Sequence, residues 1–355
     1  MQKWLVPLIL IALAAIVIVV VVNRKADNMT PTQSGATTQP SGGEGGAVIA
    51  WYGMKPHPYI NEVQKGVDMF IKDTGTPVAE TVGQEWTQAN ENQNVESLST
   101  KGYKGFSIFP GDASGCNALF AELKQHGQMV VAYGGEPQLP TPALFTVATD
   151  IKGAAMAACE QLIKSMGGKG NILNVLERVT DVNTKLRDDG VKEVVAKHPG
   201  VSIIETINDV PEVADATTKI QSALAARGAD IDGIITTGYN PTVAAAQILT
   251  EWHKDSSHKV IHFIGIDTDP VVIQAIKDGA IDATVAQNPH GHSYISCMLL
   301  KLMTEGWTPK QPYQFVNAGI VIVTKDNLDT YTTEVQKITD SVLGDLKAKY
   351  LDQPK

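Results

Sequence analysis

Asp267, Arg187, Gln287, Tyr59, His57, Tyr239 and Asn240 lie in short polar loops that follow apolar runs. Their chemistry is complementary: a carboxylate only accepts hydrogen bonds, a guanidinium only donates them, an amide does both, and an aromatic ring offers a flat apolar face. That set suits recognition of a polar molecule better than bond breaking. The chain has no GxSxG, no HExxH and no defensible order of Ser, His and Asp. The GGKG at 167–170 precedes an apolar run and lacks the Lys-Ser/Thr ending of a phosphate loop, so it reads as a turn. His290 and His292 form an HxH without a third ligand at suitable spacing, and they read as surface polar residues. Cys116, Cys159 and Cys297 are far apart, show no CxxC and make an odd number. They read as buried thiols, with a Cys116 to Cys159 bridge as the lesser alternative. No metal or cofactor is expected.

The elements that must position these residues are short strand-type runs alternating with helix-period segments. The runs are 47–53, 77–82, 105–110, 129–134 and 145–149, then 171–177, 201–207, 233–238, 261–267 and 282–287, with 318–324 near the end. Such alternation predicts βα units and parallel sheets. Two series of five strands predict two similar lobes. Between the first two runs, Ile60, Val63, Val67, Phe70 and Ile71 share one face of a helix that Gly75 would cap. In doubly wound sheets ligands bind outside the C-terminal ends of the strands. The loops there read KPHPYI, GGEP, TDIKG, ERVTDVNTKLRDDG, GYNPTVAAA, DTDP and QNPHGH, and they add Thr149 and Asp150 to the candidates.

Each candidate also has a plainer reading. Asp267 and Asp150 precede helical segments and would serve as N-caps. Arg187 sits beside Asp188 and Asp189 as a solvated charge. Gln287 could satisfy local backbone, and Tyr59, next to Pro58, could be a core aromatic at a helix start. Trp51, Tyr52 and Trp86 would extend a stacking surface, but Trp51 and Tyr52 alternate on one strand, so at most one faces any given side.

The 355 residues are 43% hydrophobic and 19% charged, enough for about two domains with a sizeable core. A net charge of −9 gives nucleic acid no electrostatic footprint, which excludes it as a partner. Trp4 to Val22 is uncharged and apolar, about the length a bilayer-spanning helix needs. Because the run continues to Val22 without a small-residue cleavage site, residues 1–25 read as an uncleaved anchor before a cleaved signal. Residues 26–46 have the Ser, Thr, Gly, Pro and Gln composition of a flexible linker.

At its loop residues the chain resembles the pentose- and hexose-binding branch of type I periplasmic binding proteins, typified by ribose-binding protein, over about 47–323. The stretch IGIDTDPVVIQAIKDGAIDATVAQNP (264–289) is similar to that family's run from ligand-binding aspartate to hinge glutamine, which implies those roles for Asp267 and Gln287. LRDDGV (186–191) gives Arg187 the guanidinium role, GYNPTVAAA puts Tyr239 and Asn240 at the ligand edge, and HPYI (57–60) makes Tyr59 the stacking aromatic with His57 a polar contact. Thr149 joins the ligand-binding set by position.

The resemblance implies two doubly wound parallel-sheet α/β lobes joined by a three-strand hinge. Lobe 1 would comprise 47–149 plus 288–318, and lobe 2 150–287 plus 319–355 including a C-terminal helix, with crossovers near 149–151, 287–289 and 317–319. It implies an extracytoplasmic binder of a small polar ligand, a monosaccharide or polyol, that hands it to the membrane permease of an ABC transporter. The alternative is a ligand sensor that signals to a membrane receptor. Where the ribose binder has adjacent Asp and Arg, this chain has Gly134 and Gly135, so ribose held in the usual way is not expected. A sugar-responsive repressor would carry an N-terminal helix-turn-helix where this chain has an apolar span, and an enzyme would need a catalytic constellation absent here.

Overall fold

The computed structural model describes residues 49–354 apart from Thr180. The expected anchor (1–25) and linker (26–46) lie outside the described residues. Among those described, no helix is long and apolar enough to cross a membrane.

Chain order in the first half is β1 (Ile49–Gly53), α1 (Pro58–Thr74), β2 (Val78–Val82), α2 (Gln88–Ser99), β3 (Gly105–Ile108), α3 (Cys116–Gln125), β4 (Met129–Tyr133) and β5 (Phe145–Ala148). The second half continues α4 (Ile151–Ser165), β6 (Gly170–Val175), α5 (Val182–Val195), β7 (Val201–Ile207), α6 (Val213–Arg227), β8 (Gly233–Thr236), α7 (Tyr239–Trp252), β9 (His262–Ile266), α8 (Pro270–Asp278) and β10 (Ala283–Ala286). The tail holds α9 (Pro289–Thr304), β11 (Thr308–Pro309), β12 (Gln314–Asn317), β13 (Val321–Thr324), α10 (Tyr331–Tyr350) and β14 (Leu351–Asp352).

Two six-stranded sheets result, ordered β12-β5-β4-β3-β1-β2 and β13-β10-β9-β8-β6-β7. This is the expected pair of doubly wound α/β lobes. Within these two sheets strand pairs are parallel except at one edge, where β13 runs antiparallel to β10; β11 and β14 form a separate antiparallel pair. Helices cover both faces of the first sheet, so neighbours that alternate along β1 are both buried: Trp51 stacks on Tyr133 at 5.9 Å, and Tyr52 is enclosed on the other side. Neither reaches a ligand surface.

Local chemistry sets the helix ends. α1 begins at Pro58, whose fixed φ suits a first turn, and ends at Gly75 in the left-handed region (φ 67), with the Gly75 N–H on the Ile71 carbonyl. Its stripe of Ile60, Val63, Val67 and Phe70 is buried against the first core. All three cysteines are free and buried. Burial pushes the Cys116, Cys159 and Cys297 thiols up to about 12, which makes them inert packing residues.

The backbone passes between the sheets three times: from β5 to α4, from β10 to α9, and from β12 to β13. Side chains knit these passages. Asn317 Oδ1 accepts from the Asp150 and Gly319 amides at 3.2 and 2.9 Å, and Asn288 Nδ2 donates to the Ala318 carbonyl at 2.9 Å and to Thr339 Oγ1 at 2.8 Å. Segment 319–355, expected wholly with the second lobe, divides instead. The start of α10 packs Tyr331, Val335 and Ile338 on the second core, while Val342, Leu343, Leu346 and Leu351 pack on the first. The cause is length: a 20-residue helix spans about 30 Å, enough to reach from one lobe to the other.

Candidate functional site

A cavity of about 580 Å³ opens between the C-terminal ends of the two sheets. Its size is that of small-molecule sites. His57, Tyr59, Arg187, Tyr239, Asn240, Asp267 and Gln287 all line it.

Asp267 follows β9 with φ 72, a left-handed conformation unusual for a residue with a side chain. Its amide donates to the Val285 carbonyl and its carbonyl accepts from Thr284 Oγ1 at 2.8 Å, so the backbone is held on both sides. The helix cap is a different residue, Asp269, which accepts from the Val271 amide at 2.8 Å. Asp267 is thereby free to face the cavity. Its Oδ1 accepts from Gln287 Nε2 at 2.8 Å, and burial raises its pKa against the opposing effects of Gln287 and Arg187.

Arg187 projects from α5 and donates through one terminal nitrogen to the Thr237 carbonyl at 3.0 Å. Its Nε is buried without a hydrogen-bond partner among the described residues. Among the described residues no ion pair joins Arg187 to Asp267 or to Glu177, a carboxylate two residues past β6, although its charge acts on both. The three groups thus converge with hydrogen-bonding capacity to spare.

Asn240, at the head of α7, uses its amide hydrogens on Glu177 Oε1 (3.0 Å) and the Pro211 carbonyl (2.7 Å). Neighbouring Tyr239 donates its hydroxyl to the Asp269 carboxylate. Asn183, also on α5, reaches across to the Gly134 carbonyl at 3.5 Å.

The first lobe contributes a wall of rings. Tyr59 meets Phe109 edge to face at 6.3 Å, Phe109 meets Trp86 at 5.1 Å, and His57 meets Trp86 at 5.9 Å and Tyr239 of the other lobe at 5.4 Å. His57 is the N-cap of α1, and its Nδ1 accepts from the Tyr59 amide at 3.2 Å, which leaves the ring hydrogen on Nε2. Burial and then Lys55 lower its pKa to about 4, so it is a neutral donor at physiological pH.

Two position-based candidates fall outside the cavity. Thr149 is buried behind it, its hydroxyl 3.3 Å from His292 Nε2, because the chain turns into the crossover there. Asp150 caps α4 by accepting from the Gly153 amide at 3.0 Å. His292, read from sequence as a surface residue, is fully buried: α9 lies under the first sheet, and the ring sits between Tyr59 and Thr149. Its HxH partner His290 stays at the surface, 2.9 Å from Glu62. Glu177 and Phe109 are cavity residues that sequence reasoning missed. Both end strand-type runs already identified, and that position was the available signal.

Gly134 has φ 72, and a Cβ there would lie 2.7 Å from the Phe109 ring and 2.9 Å from the Tyr59 hydroxyl. The glycine is what lets those two rings form one surface.

Residues 49–307 match the family model described as periplasmic binding protein domain. The chain belongs to that family. Among curated relatives, a xylitol-binding protein of Mycolicibacterium smegmatis is 24% identical over 295 residues, 80% of each chain. A ribose import binding protein of Bacillus subtilis is 24% identical over 66% of this chain and 73% of its own length. An ABC transporter solute binding protein from Burkholderia graminis, solved in complex with D-arabinose, superposes with a TM-score of 0.73 at 21% identity, covering 80% of this chain and 97% of the other. At that identity the likeness concerns the fold.

Proposed function

We propose that this family member is an extracytoplasmic solute-binding protein that closes its lobes around a monosaccharide or polyol and delivers it to an ABC-type permease. The observation that carries the reading is the division of the cavity: an aromatic wall from the first lobe faces Asp267, Arg187, Gln287 and Glu177 from the second. A polyhydroxylated ring or chain has a C–H face for the one and hydroxyls, each both donor and acceptor, for the other. Ligand touching both lobes favours the closed arrangement by contacts the open one lacks.

Relatives that bind xylitol and ribose, and a structural neighbour that holds D-arabinose, agree with that class. Gly134 and Gly135 themselves give no acid or base to the first lobe's side, whose charged lining is Lys55, Asp112 and Glu136 instead.

The chain acts as a binder and not as an enzyme. Among the described residues, the one cavity hydroxyl bonded to a histidine is that of Tyr59, whose ionisation burial suppresses. The apolar run Trp4 to Val22 keeps it on the outer face of the membrane as an anchor, a reading checked by whether the mature protein stays with membranes.

A thermal-shift screen of pentoses, hexoses, deoxysugars and polyols tests the central claim. Ligand at a hundred times its dissociation constant contributes about 2.7 kcal/mol, a plain upward shift. If no compound raises the melting temperature, the reading fails; release of a chemically altered ligand would refute the non-enzymatic part.

A further inference from the structure

Glu177 lies two residues past β6 in the cavity wall, and two features seat its carboxyl. Asn240 Nδ2 donates to Oε1 at 3.0 Å and is itself fixed by the Pro211 carbonyl. Oε2 lies over the backbone of Gly238, where a Cβ would come within 1.7 Å of it, so that position tolerates glycine alone while the carboxyl is there. This is a built seat, with one oxygen satisfied by the protein.

We propose that Glu177 is a further specificity-determining residue, whose second carboxyl oxygen accepts a hydrogen bond from a hydroxyl of the bound ligand. The inference rests on the polyhydroxylated-ligand reading above. Arg187 is the cation that acts on both carboxylates, Glu177 and Asp267, and one guanidinium cannot neutralise both in a buried site. Two ligand hydroxyls can satisfy them by donating hydrogen bonds to Glu177 and to Asp267, while a ligand oxygen accepts from Arg187. The site then selects a polyol or sugar with hydroxyls at that spacing. Analogues lacking one of them leave a buried carboxyl oxygen unpaired and are rejected.

The charged groups that face Glu177 are Arg187 of α5, Asp181 at its N-cap and Asp267 after β9. Burial holds Glu177 up at about 7 despite Arg187 and Asn240, which favour its charged form. Hydroxyl donation favours the charged form too. Ligand therefore binds the ionised carboxylate, and affinity is full above that pH and falls as pH drops below it.

Calorimetric titration of xylitol, D-arabinose, D-ribose and D-allose into wild type and Glu177→Gln, from pH 6 to 8, tests this. Expected for the tightest of the four is a loss of about tenfold or more in the variant at pH 8. Wild-type affinity should fall about tenfold from pH 8 to pH 6, with a flat profile in the variant. A folded variant that binds within twofold of wild type overturns the inference, as does a pH step that persists in it. Should the variant not fold, a flat wild-type profile alone overturns it. Wild type that binds none of the four sinks the underlying reading as well, so the two failures are told apart.

Discussion

The Tyr59 hydroxyl lies 2.7 Å from Nδ1 of His292, and Nε2 of the same imidazole lies 3.3 Å from the Thr149 hydroxyl. Tyr59 is a wall of the cavity, His292 is on the first turn of α9 just past one crossover, and Thr149 is at another. A ring that ligand would touch is therefore fixed by hydrogen bonds to two of the three hinge passages. Removing the hydroxyl with Tyr59→Phe keeps the ring but leaves the buried imidazole one partner short, so we expect a stability loss of about 1–3 kcal/mol by urea unfolding. Ligand affinity should fall less than in Tyr59→Ala, which also loses the stacking face; equal losses in the two variants would contradict the positioning role.

Asp267→Asn separates charge from geometry. Asparagine tolerates the left-handed backbone at φ 72 and can still accept from Gln287, so the fold should be kept. The carboxylate's stronger hydrogen bonds are lost, at about 1.5–3 kcal/mol, or one to two decades of ligand affinity. Asp267→Ala should be worse in both respects. Titration calorimetry and melting curves read the two effects, and unchanged affinity in Asp267→Asn would remove Asp267 from the site.

Gly134→Ala should be costly for two reasons that add. The left-handed conformation disfavours any Cβ by about 1–2 kcal/mol, and this Cβ would press on Phe109 and on the Tyr59 hydroxyl. A drop of about 2–4 kcal/mol in unfolding free energy is expected, with weaker ligand binding because the ring wall is displaced. A variant as stable as wild type would mean the two rings move freely, contrary to a preformed surface.

How much of this was legible in sequence depended on the range of the interaction. Period-2 runs and the Ile60, Val63, Val67, Phe70 stripe depend on neighbours in the chain, and the ten principal strands and α1 stand close to where pattern puts them. β12 was missed because QFVN holds only two apolar residues between polar ends and pairs with β5, far away in sequence. Seven residues named for the site do line the cavity, since strand ends converge there in any doubly wound sheet. Thr149, His292 and Glu177 were misplaced or overlooked because their surroundings come from helices more than a hundred residues off, or, for Glu177, from a turn sixty residues on. The division of α10 between the lobes followed from no local signal at all.

Asn288 is a second buried junction in the hinge. Its amide donates to Ala318 and Thr339 and its oxygen accepts from the Gly291 amide at 2.9 Å, which makes it both the cap of α9 and a clasp between two crossovers and α10. Asn288→Ala would strand several buried groups at once, a loss of about 2–4 kcal/mol on urea unfolding. Asn288→Asp should recover the cap but not the clasp, giving an intermediate midpoint. If Asn288→Ala unfolds at the wild-type urea concentration, the clasp contributes nothing.

Buried histidine also sets a pH dependence whose sign can be worked out. Burial lowers the His292 pKa to about 3, whereas in the unfolded chain it takes up a proton near 6.5. Between those values the unfolded state binds more protons, so this residue's contribution is full above about 6.5 and is lost as pH falls toward 3, at about 1.4 kcal/mol per pH unit. Glu91 and Glu177, both raised by burial to about 7, act oppositely: their contribution is present below about 4.5 and is lost as pH rises to 7. The wild-type profile alone therefore mixes opposed contributions, with two carboxylates against this one imidazole. Comparison with His292→Asn removes the carboxylates from the difference, because both proteins carry them. Wild type should lose about 2 kcal/mol more than the variant between pH 7 and pH 5 in urea unfolding. Parallel curves would mean the imidazole is protonated equally in both states, and so is not held neutral between Tyr59 and Thr149.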